Sequence, residues 1–345
     1  MKLLNQAAAV TALNIRNLPQ RIGGSVVAVI GVAAVVLVFA AVLSMAAGFE
    51  RTMMAAGTED TAIIMRSGST AELNSGLSNE QALIISNAPG VMRDGDSAIT
   101  SFELYVVVDL RKKTTDEDAN APLRGVQAGA FDIRSNVKII EGRAFEEGKN
   151  ELVVGRAAQS QFSGLEIGDD IRFGQTTWTV VGVFEAGGSV SESELWTDLP
   201  VLQSMYRRGT SVQSVRVRLE TPGSITELSE ALADDPRLDV DVMTEKEYYS
   251  SQAAPLSQFI RIVGYPLTIL MAIGAVFGAL NSMYASVSVR GKEIATLRAL
   301  GFGPFSVLVS TIIESTLLSL IGGVLGGAVA FVVFNGFQGS TLNGA

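Results

Sequence analysis

Few residues in this 345-residue chain can carry out covalent chemistry. It contains no histidine and no cysteine, so no Ser-His or Cys-His nucleophile pair can form, and a zinc site with imidazole or thiolate ligands is excluded. The remaining acid–base candidates are carboxylates. Glu192 and Glu194 alternate along an extended stretch, a pattern expected of a surface segment. Asp116-Glu117-Asp118 reads as the tip of a solvated loop, with no ligand-spaced loop around it of the kind calcium requires. No Gly-x-x-x-x-Gly-Lys-Ser/Thr run is present to cradle the phosphates of ATP. The residues therefore predict no intrinsic catalytic site and no cofactor or metal, and any energy from ATP must come from another subunit.

Binding chemistry is better represented. Arg290-Gly-Lys-Glu-Ile-Ala-Thr-Leu-Arg-Ala-Leu-Gly301 places Ile294, Leu297 and Leu300 at intervals of three, forming one apolar stripe. Lys292, Glu293 and Arg298 flank the stripe, Gly301 is a natural helix stop, and Pro304 suits the first turn of a following helix. A short amphipathic helix of this type either lies on lipid headgroups or docks into a groove on a partner.

The segments on either side decide where this helix sits. Residues 262–289 carry no charge, and beyond Arg298 the only charge is Glu314. Residues 22–49 are also uncharged. Each stretch exceeds the roughly 20 apolar residues that cross a bilayer as a helix. The first is too long for the apolar core of a signal peptide, about 7–15 residues, and reads as an uncleaved anchor. Residues 1–24 hold Lys2, Arg16 and Arg21 and no acid, and the loop near 290 is also basic, whereas residues 49–257 hold 33 acidic and 19 basic side chains, a net of −14. Lys/Arg-rich flanks stay in the cytoplasm. The N-terminus and the loop are then inside, and the acidic region is outside.

These readings divide the chain into a cytoplasmic amphipathic helix (1–23), a first span (24–48), an extracytoplasmic domain (49–257), a second span (258–287), the cytoplasmic helix (288–303), a third span (304–335) and an outer turn (336–345). Pro266 is expected to kink the second span near its outer end. The glycine pairs Gly274/Gly278 and Gly322/Gly326, each four apart, are of the kind that lets helices approach closely. Glu314 is the one ionisable residue deep in a span, about 10 residues past Pro304 and so roughly 15 Å into the bilayer. Intramembrane acids default to a functional role; a protonated carboxyl bonded to a neighbouring helix, for instance through Asn281 or Ser282, is the structural alternative.

In the outer domain, strand-like Thr61–Arg66 leads to a helix opened by a Ser78-x-x-Gln81 capping box, and strand-like Ser101–Asp109 follows. Near its end, Val215, Val217 and Leu219 line one face of a strand, Ser224-x-x-Glu227 caps a helix, and a last strand covers Leu238–Met243. These two strand–helix–strand units (49–119 and 207–257) are expected to share one sheet. Between them, residues 120–206 read as an inserted β-rich subdomain with strands at Glu151–Gly155, Asp170–Phe173 and Thr177–Phe184. The predicted fold is an α-helical membrane part plus an α+β extracytoplasmic domain with a β-rich insert.

Arg290-x-x-Glu293-Ile-x-x-Leu297-Arg-Ala-Leu-Gly301 resembles the signature loop of FtsX-like and MacB-like ABC transporter permeases. The resemblance covers nearly the whole chain. It extends to Leu123-Arg-Gly-Val126, Glu141-Gly-Arg-Ala-Phe145, Val180-Val-Gly-Val183 and Glu314 followed by Leu320-Ile-Gly-Gly-Val-Leu-Gly-Gly327. Residues 187–198 and 278–303 look nearest to a DevC-like exporter subgroup. The resemblance implies a coupling helix (Arg290, Glu293, Ile294, Leu297, Arg298, Leu300, Gly301) for a separate ATPase dimer that binds the ATP, and a second permease copy, identical or related. It also implies a periplasmic adaptor of the membrane fusion type, a bacterial inner-membrane location and no nucleic-acid partner. The function implied is export driven by motion passed through the spans; the alternative is an FtsX-like signalling subunit that activates a periplasmic hydrolase without transport. Such permeases have four spans, and this sequence holds three; a final span and tail of about 40 residues, one spanning helix plus flanks, is expected after Ala345.

Overall fold

The computed structural model describes residues 8–12, 16, 22–174, 176–289, 291–300 and 302–334. Among the described residues two compact units emerge, those up to residue 47 together with 256–334, and residues 48–255. In chain order the helices are α1 (Ile22–Met54), α2 (Asn79–Ser86), α3 (Ala130–Ile133), α4 (Arg156–Gln161), α5 (Leu199–Met205), α6 (Ser224–Ala233), α7 (Glu245–Val289), α8 (Gly291–Ala299) and α9 (Pro304–Phe334). The strands are β1 (Thr61–Arg66), β2 (Arg93–Asp94), β3 (Ser97–Ala98), β4 (Thr100–Arg111), β5 (Asp118–Val126), β6 (Lys138–Gly142), β7 (Glu151–Gly155), β8 (Asp170–Phe173), β9 (Thr176–Glu185), β10 (Leu195–Asp198), β11 (Ser214–Arg218) and β12 (Val240–Thr244).

Helices α1, α7 and α9 are long and apolar enough to cross a membrane. Among the described residues no fourth such helix is found. Helix α7 begins at Glu245, well before the expected start of the second span, and it continues through Pro255 and Pro266. Its first turns are held by the burial of Tyr248, Tyr249 and Ala253, so a polar, partly packed segment leads into the apolar one.

The outer unit is built on one ten-stranded sheet of order β12-β1-β11-β4-β5-β10-β7-β9-β6, with β8 paired to β9. The two strand–helix–strand units share this sheet as expected, β1 lying between β11 and β12. The insert is not a separate subdomain. Strand β5 pairs antiparallel with β4 from Leu104↔Gly125 to Arg111↔Asp118, so the insert continues the sheet. The physical reason is that β4 would otherwise present a long row of unpaired backbone groups.

One face of the sheet is apolar. Ala62, Ile64, Phe102, Leu104, Leu123, Val215 and Val217 pack there under α2, α4, α5 and α6. The capping box is formed: Ser78 Oγ accepts from Gln81 N at 3.2 Å and Gln81 Oε1 accepts from Ser78 N at 3.0 Å. The cap expected at Ser224 is displaced by one residue. Gly223 is the N-cap of α6, and the Ser224 hydroxyl pairs with Thr221 Oγ1 at 3.0 Å instead. The other face of the sheet differs. Ile63 and Met65 on β1 pack with Ala56, Tyr248 and Tyr249, and Trp196 on β10 packs with Val126, Val153 and Phe184. Between them, the same face of β11, β4 and β5 carries charge.

Candidate functional site

Helix α8 forms where the apolar stripe predicts it, between the two membrane-length helices α7 and α9. Its last turn closes with Leu300 N donating to Thr296 O at 3.0 Å, and Ser306 N donates to Gly303 O at 3.1 Å at the entry to α9. Arg298 and Leu300 are exposed, Leu300 at 72%. Arg290 and Gly301 lie outside the described residues, as do the side chains of Lys292, Glu293, Ile294 and Leu297.

The glycine pairs behave differently from each other. A Cβ on Gly322 would stand 2.7 Å from Val29 O and 3.0 Å from Val32 Cβ; one on Gly326 would strike the carbonyl oxygen of Ala33 and lie 2.9 Å from its Cα. Val29 and Ala33 are themselves four apart, so matching ridges of α1 and α9 interdigitate, with small residues permitting backbone contact. Gly274 and Gly278 have nothing within 4 Å, so the close approach expected of them is not made among the described residues. A lone glycine supplies it instead: Gly264 on α7 packs against the Val42 side chain, beside the Phe39–Tyr265 ring pair at 6.3 Å. Ser310 and Ser306, one and two turns before Glu314, are fully buried. Glu314 is half-buried and has an interaction partner. The side chains of Asn281 and Ser282, the partners suggested for it, lie outside the described residues.

A buried polar assembly in the outer unit is not predicted by the sequence. Arg124, Arg134 and Arg216 and Glu72, Glu103, Glu194 and Glu245 are all buried together on the sheet's second face. Arg124 donates from Nε and Nη2 to Glu194 at 2.8 Å each, from Nη1 to Glu72 and Glu103 at 2.8 Å each, and from Nη2 to Glu72 at 3.0 Å. Arg216 donates from Nε to Glu245 at 2.9 Å and from Nη1 to Glu72 at 2.9 Å, and also reaches Glu103. Arg134 Nη1 pairs with Glu103 Oε1 at 2.8 Å. Ser214 Oγ donates to Glu72 at 2.7 Å and Trp196 Nε1 to Glu194 at 2.8 Å.

The registers explain how these residues meet. Ser214 stands opposite Glu103, Arg216 opposite Ser101, Tyr105 opposite Arg124, and Arg124 opposite Trp196. Burial alone would push the carboxyls up. Arg124 and Arg216 outweigh it at Glu72 and hold that group well below the usual range, while Arg134, Arg216 and Arg124 hold Glu103 at about 2.

This corrects the expectation for the paired carboxylates. Glu194 is buried in the cluster, and Glu192 is half-buried, its Oε1 accepting from Ala186 N and Gly188 N at 2.7 Å each. Neither is free to act on a substrate. The available signal was Ser214, Arg216 and Arg218 alternating with Val215 and Val217, which alternation alone reads as a wet face. Among the described residues no group of His, Cys, Asp or Glu is arranged to hold a metal.

Comparison with known proteins places these features. Residues 26–235 match the model of the MacB-like periplasmic core domain, and residues 267–343 that of the FtsX-like permease C-terminal region. A macrolide export ATP-binding/permease protein, MacB 1/2 of Paracoccus denitrificans, is 26% identical over 267 residues, 71% of this chain and 38% of that protein. The ABC transporter permease YknZ of Bacillus subtilis is 24% identical over 241 residues, 64% of this chain and 59% of that protein. The chain thus spans less than two thirds of the length of these relatives. The periplasmic region of MacB from Actinobacillus actinomycetemcomitans superposes with a TM-score of 0.42 at 16% identity, covering 56% of this chain and 92% of that one. The extracellular domain of YknZ does so with 0.41 at 17%, covering 53% and 100%.

Proposed function

The chain belongs to the ABC transporter permeases that join a MacB-like periplasmic core domain to an FtsX-like membrane region, and on that premise we propose that it passes ATPase-driven motion through its spans to the outer domain, to drive export of a periplasmic or membrane substrate. One observation carries the proposal. A short amphipathic helix, α8, is held between two membrane-length helices in a chain that has no phosphate-binding loop of its own. In this reading α8 seats in a groove of a separate cytoplasmic ATPase. Ile294, Leu297 and Leu300 fill the groove, and Glu293 and Arg298 fix the helix at its rim. The Lys/Arg bias supports a cytoplasmic N-terminus and a cytoplasmic α8 in a bacterial inner membrane. A pair of ATPases implies a second permease copy, and the long outer domain suits docking of a periplasmic adaptor. The close approach of Gly322 and Gly326 to α1 supports spans that move as packed helices.

The test is co-purification of the cognate ATPase with variants in detergent, where no bilayer surface remains to be bound. Leu297→Asp strands a carboxylate in the groove and removes a buried leucine, and should weaken association by on the order of 3–5 kcal/mol. Arg298→Ala, at a hydrated rim, should weaken it less. ATPase recovery at the wild-type level with Leu297→Asp would falsify the coupling reading and favour simple contact of α8 with lipid.

A further inference from the structure

Three arginines and four glutamates buried together are a weak source of stability. Removing seven charges from water costs about as much as their attraction returns, and apolar side chains of similar volume often serve equally well. A satisfied buried network supplies something else, namely fixed lengths and angles between the elements that contribute to it.

The elements held here are specific. Glu245 is the first residue of α7; it accepts from Arg216 Nε at 2.9 Å, and Arg134 Nε stands 3.7 Å away. One turn on, the Tyr248 hydroxyl accepts from the backbone N–H of Glu72 at 3.4 Å. The chain leaving α1 arrives at the same place. A Cβ on Gly57 would lie 2.6 Å from the backbone carbonyl carbon of Glu245, and Ala56 packs with Tyr248 and Tyr249. The end of α1 and the start of α7 are thus gathered onto the central strands β11, β4 and β5, where Arg216, Glu103 and Arg124 reside. Arg216 Nη2 is fully buried and has no acceptor among the described residues. The arginine therefore has a donor to spare and can trade one carboxylate for another without leaving a charge unpaired.

We infer that this cluster is the joint that obliges the sheet to follow the two membrane helices, with Glu245 as its principal positioning residue. Movement of α7 carries the Glu245 carboxylate; Arg216 follows, and β11 with it. Glu72 and Glu103, shared between Arg216 and Arg124, extend the constraint to β5 and, through Glu194 and Trp196, to β10. The inference rests on the proposed transmission of motion to the outer domain.

The chain contains no cysteine, so spin labels can be placed uniquely at Met45→Cys on α1 and Glu230→Cys on α6, both exposed. Distances are measured in the complex with a cysteine-free cognate ATPase, without nucleotide and trapped with ATP and vanadate. The wild-type distribution is expected to shift between the two states. Glu245→Gln should lose at least half of that shift while retaining the bound ATPase and native tryptophan fluorescence. Lys246→Gln, which removes an exposed pair with Glu59, should keep the shift. Tyr248→Phe, losing a hydroxyl and no charge, should reduce it, and carries the test should Glu245→Gln not reach native fluorescence. A full wild-type shift in Glu245→Gln, or in Tyr248→Phe where the former does not fold, overturns the joint and leaves transmission standing. No shift in the wild type overturns transmission, and the joint with it.

Discussion

Arg124 makes five hydrogen bonds to three glutamates while only 2% exposed, and this has a consequence for acid stability. Glu103 is held at about 2 and Glu72 well below the ordinary range, whereas an unfolded glutamate titrates near about 4.3. With folded values depressed, the unfolded chain binds more protons, so this contribution is fully present above about pH 4.5 and is lost as pH falls toward 2. The chain's two tryptophans, Trp178 and Trp196, are both fully buried in the outer unit, so intrinsic fluorescence reports that unit alone. Urea midpoints followed by fluorescence in detergent should owe no change to these groups between pH 8 and 5, and should fall steeply below about 4.5. A midpoint unchanged down to pH 3 would show that the two carboxyls are not held as described. Of the residues involved, none was legible as a cluster. Glu103, Arg124 and Arg216 are far apart in sequence, and each alternates with apolar neighbours exactly as a solvent-facing residue does on a half-buried strand.

At the scale of elements, hydrophobic runs and caps were legible and contacts between elements were not. The membrane-length helices, the capping box at Ser78 and the approximate positions of strands such as Glu151–Gly155 and Asp170–Phe173 follow from local pattern, and the structure has them. Helix α7 begins 13 residues before the expected 258 boundary, because its first turns are stabilised by the packing of Tyr248 and Tyr249 rather than by an apolar run. The two glycine pairs are indistinguishable in sequence, yet only Gly322 and Gly326 touch another helix. Gly326→Leu should therefore drive a side chain into the Ala33 backbone, where the obstacle cannot rotate away; overpacking of this kind costs about 1–3 kcal/mol or more. Gly274→Leu meets open space and should leave the purified chain's thermal midpoint within a degree or two of wild type. Equal losses for both variants would mean that α1 and α9 do not pack through this face.

For the molecule as a whole, the charge distribution makes orientation testable. Cysteines at Ser69 and Ser204 in the outer unit should react with impermeant reagents added outside intact cells, and one at Ser288, just before α8, should not. Reaction at Ser288 from outside would reverse the orientation. Sequence alone determined the three membrane-length helices found among the described residues, the placement of α8 between two of them, the lack of histidine and thiol side chains, and the family. All of these depend on composition and on runs of consecutive residues, where each position's neighbours are known in advance. Only the tertiary structure decided that the insert extends one sheet, that one glycine pair is a contact and the other is not, and that Glu194 is a buried partner of Arg124. The reason is that strand register and helix facing bring together residues as distant in sequence as Glu72 and Glu245, which meet on Arg216, and a charge declares itself buried only once its partner is in place.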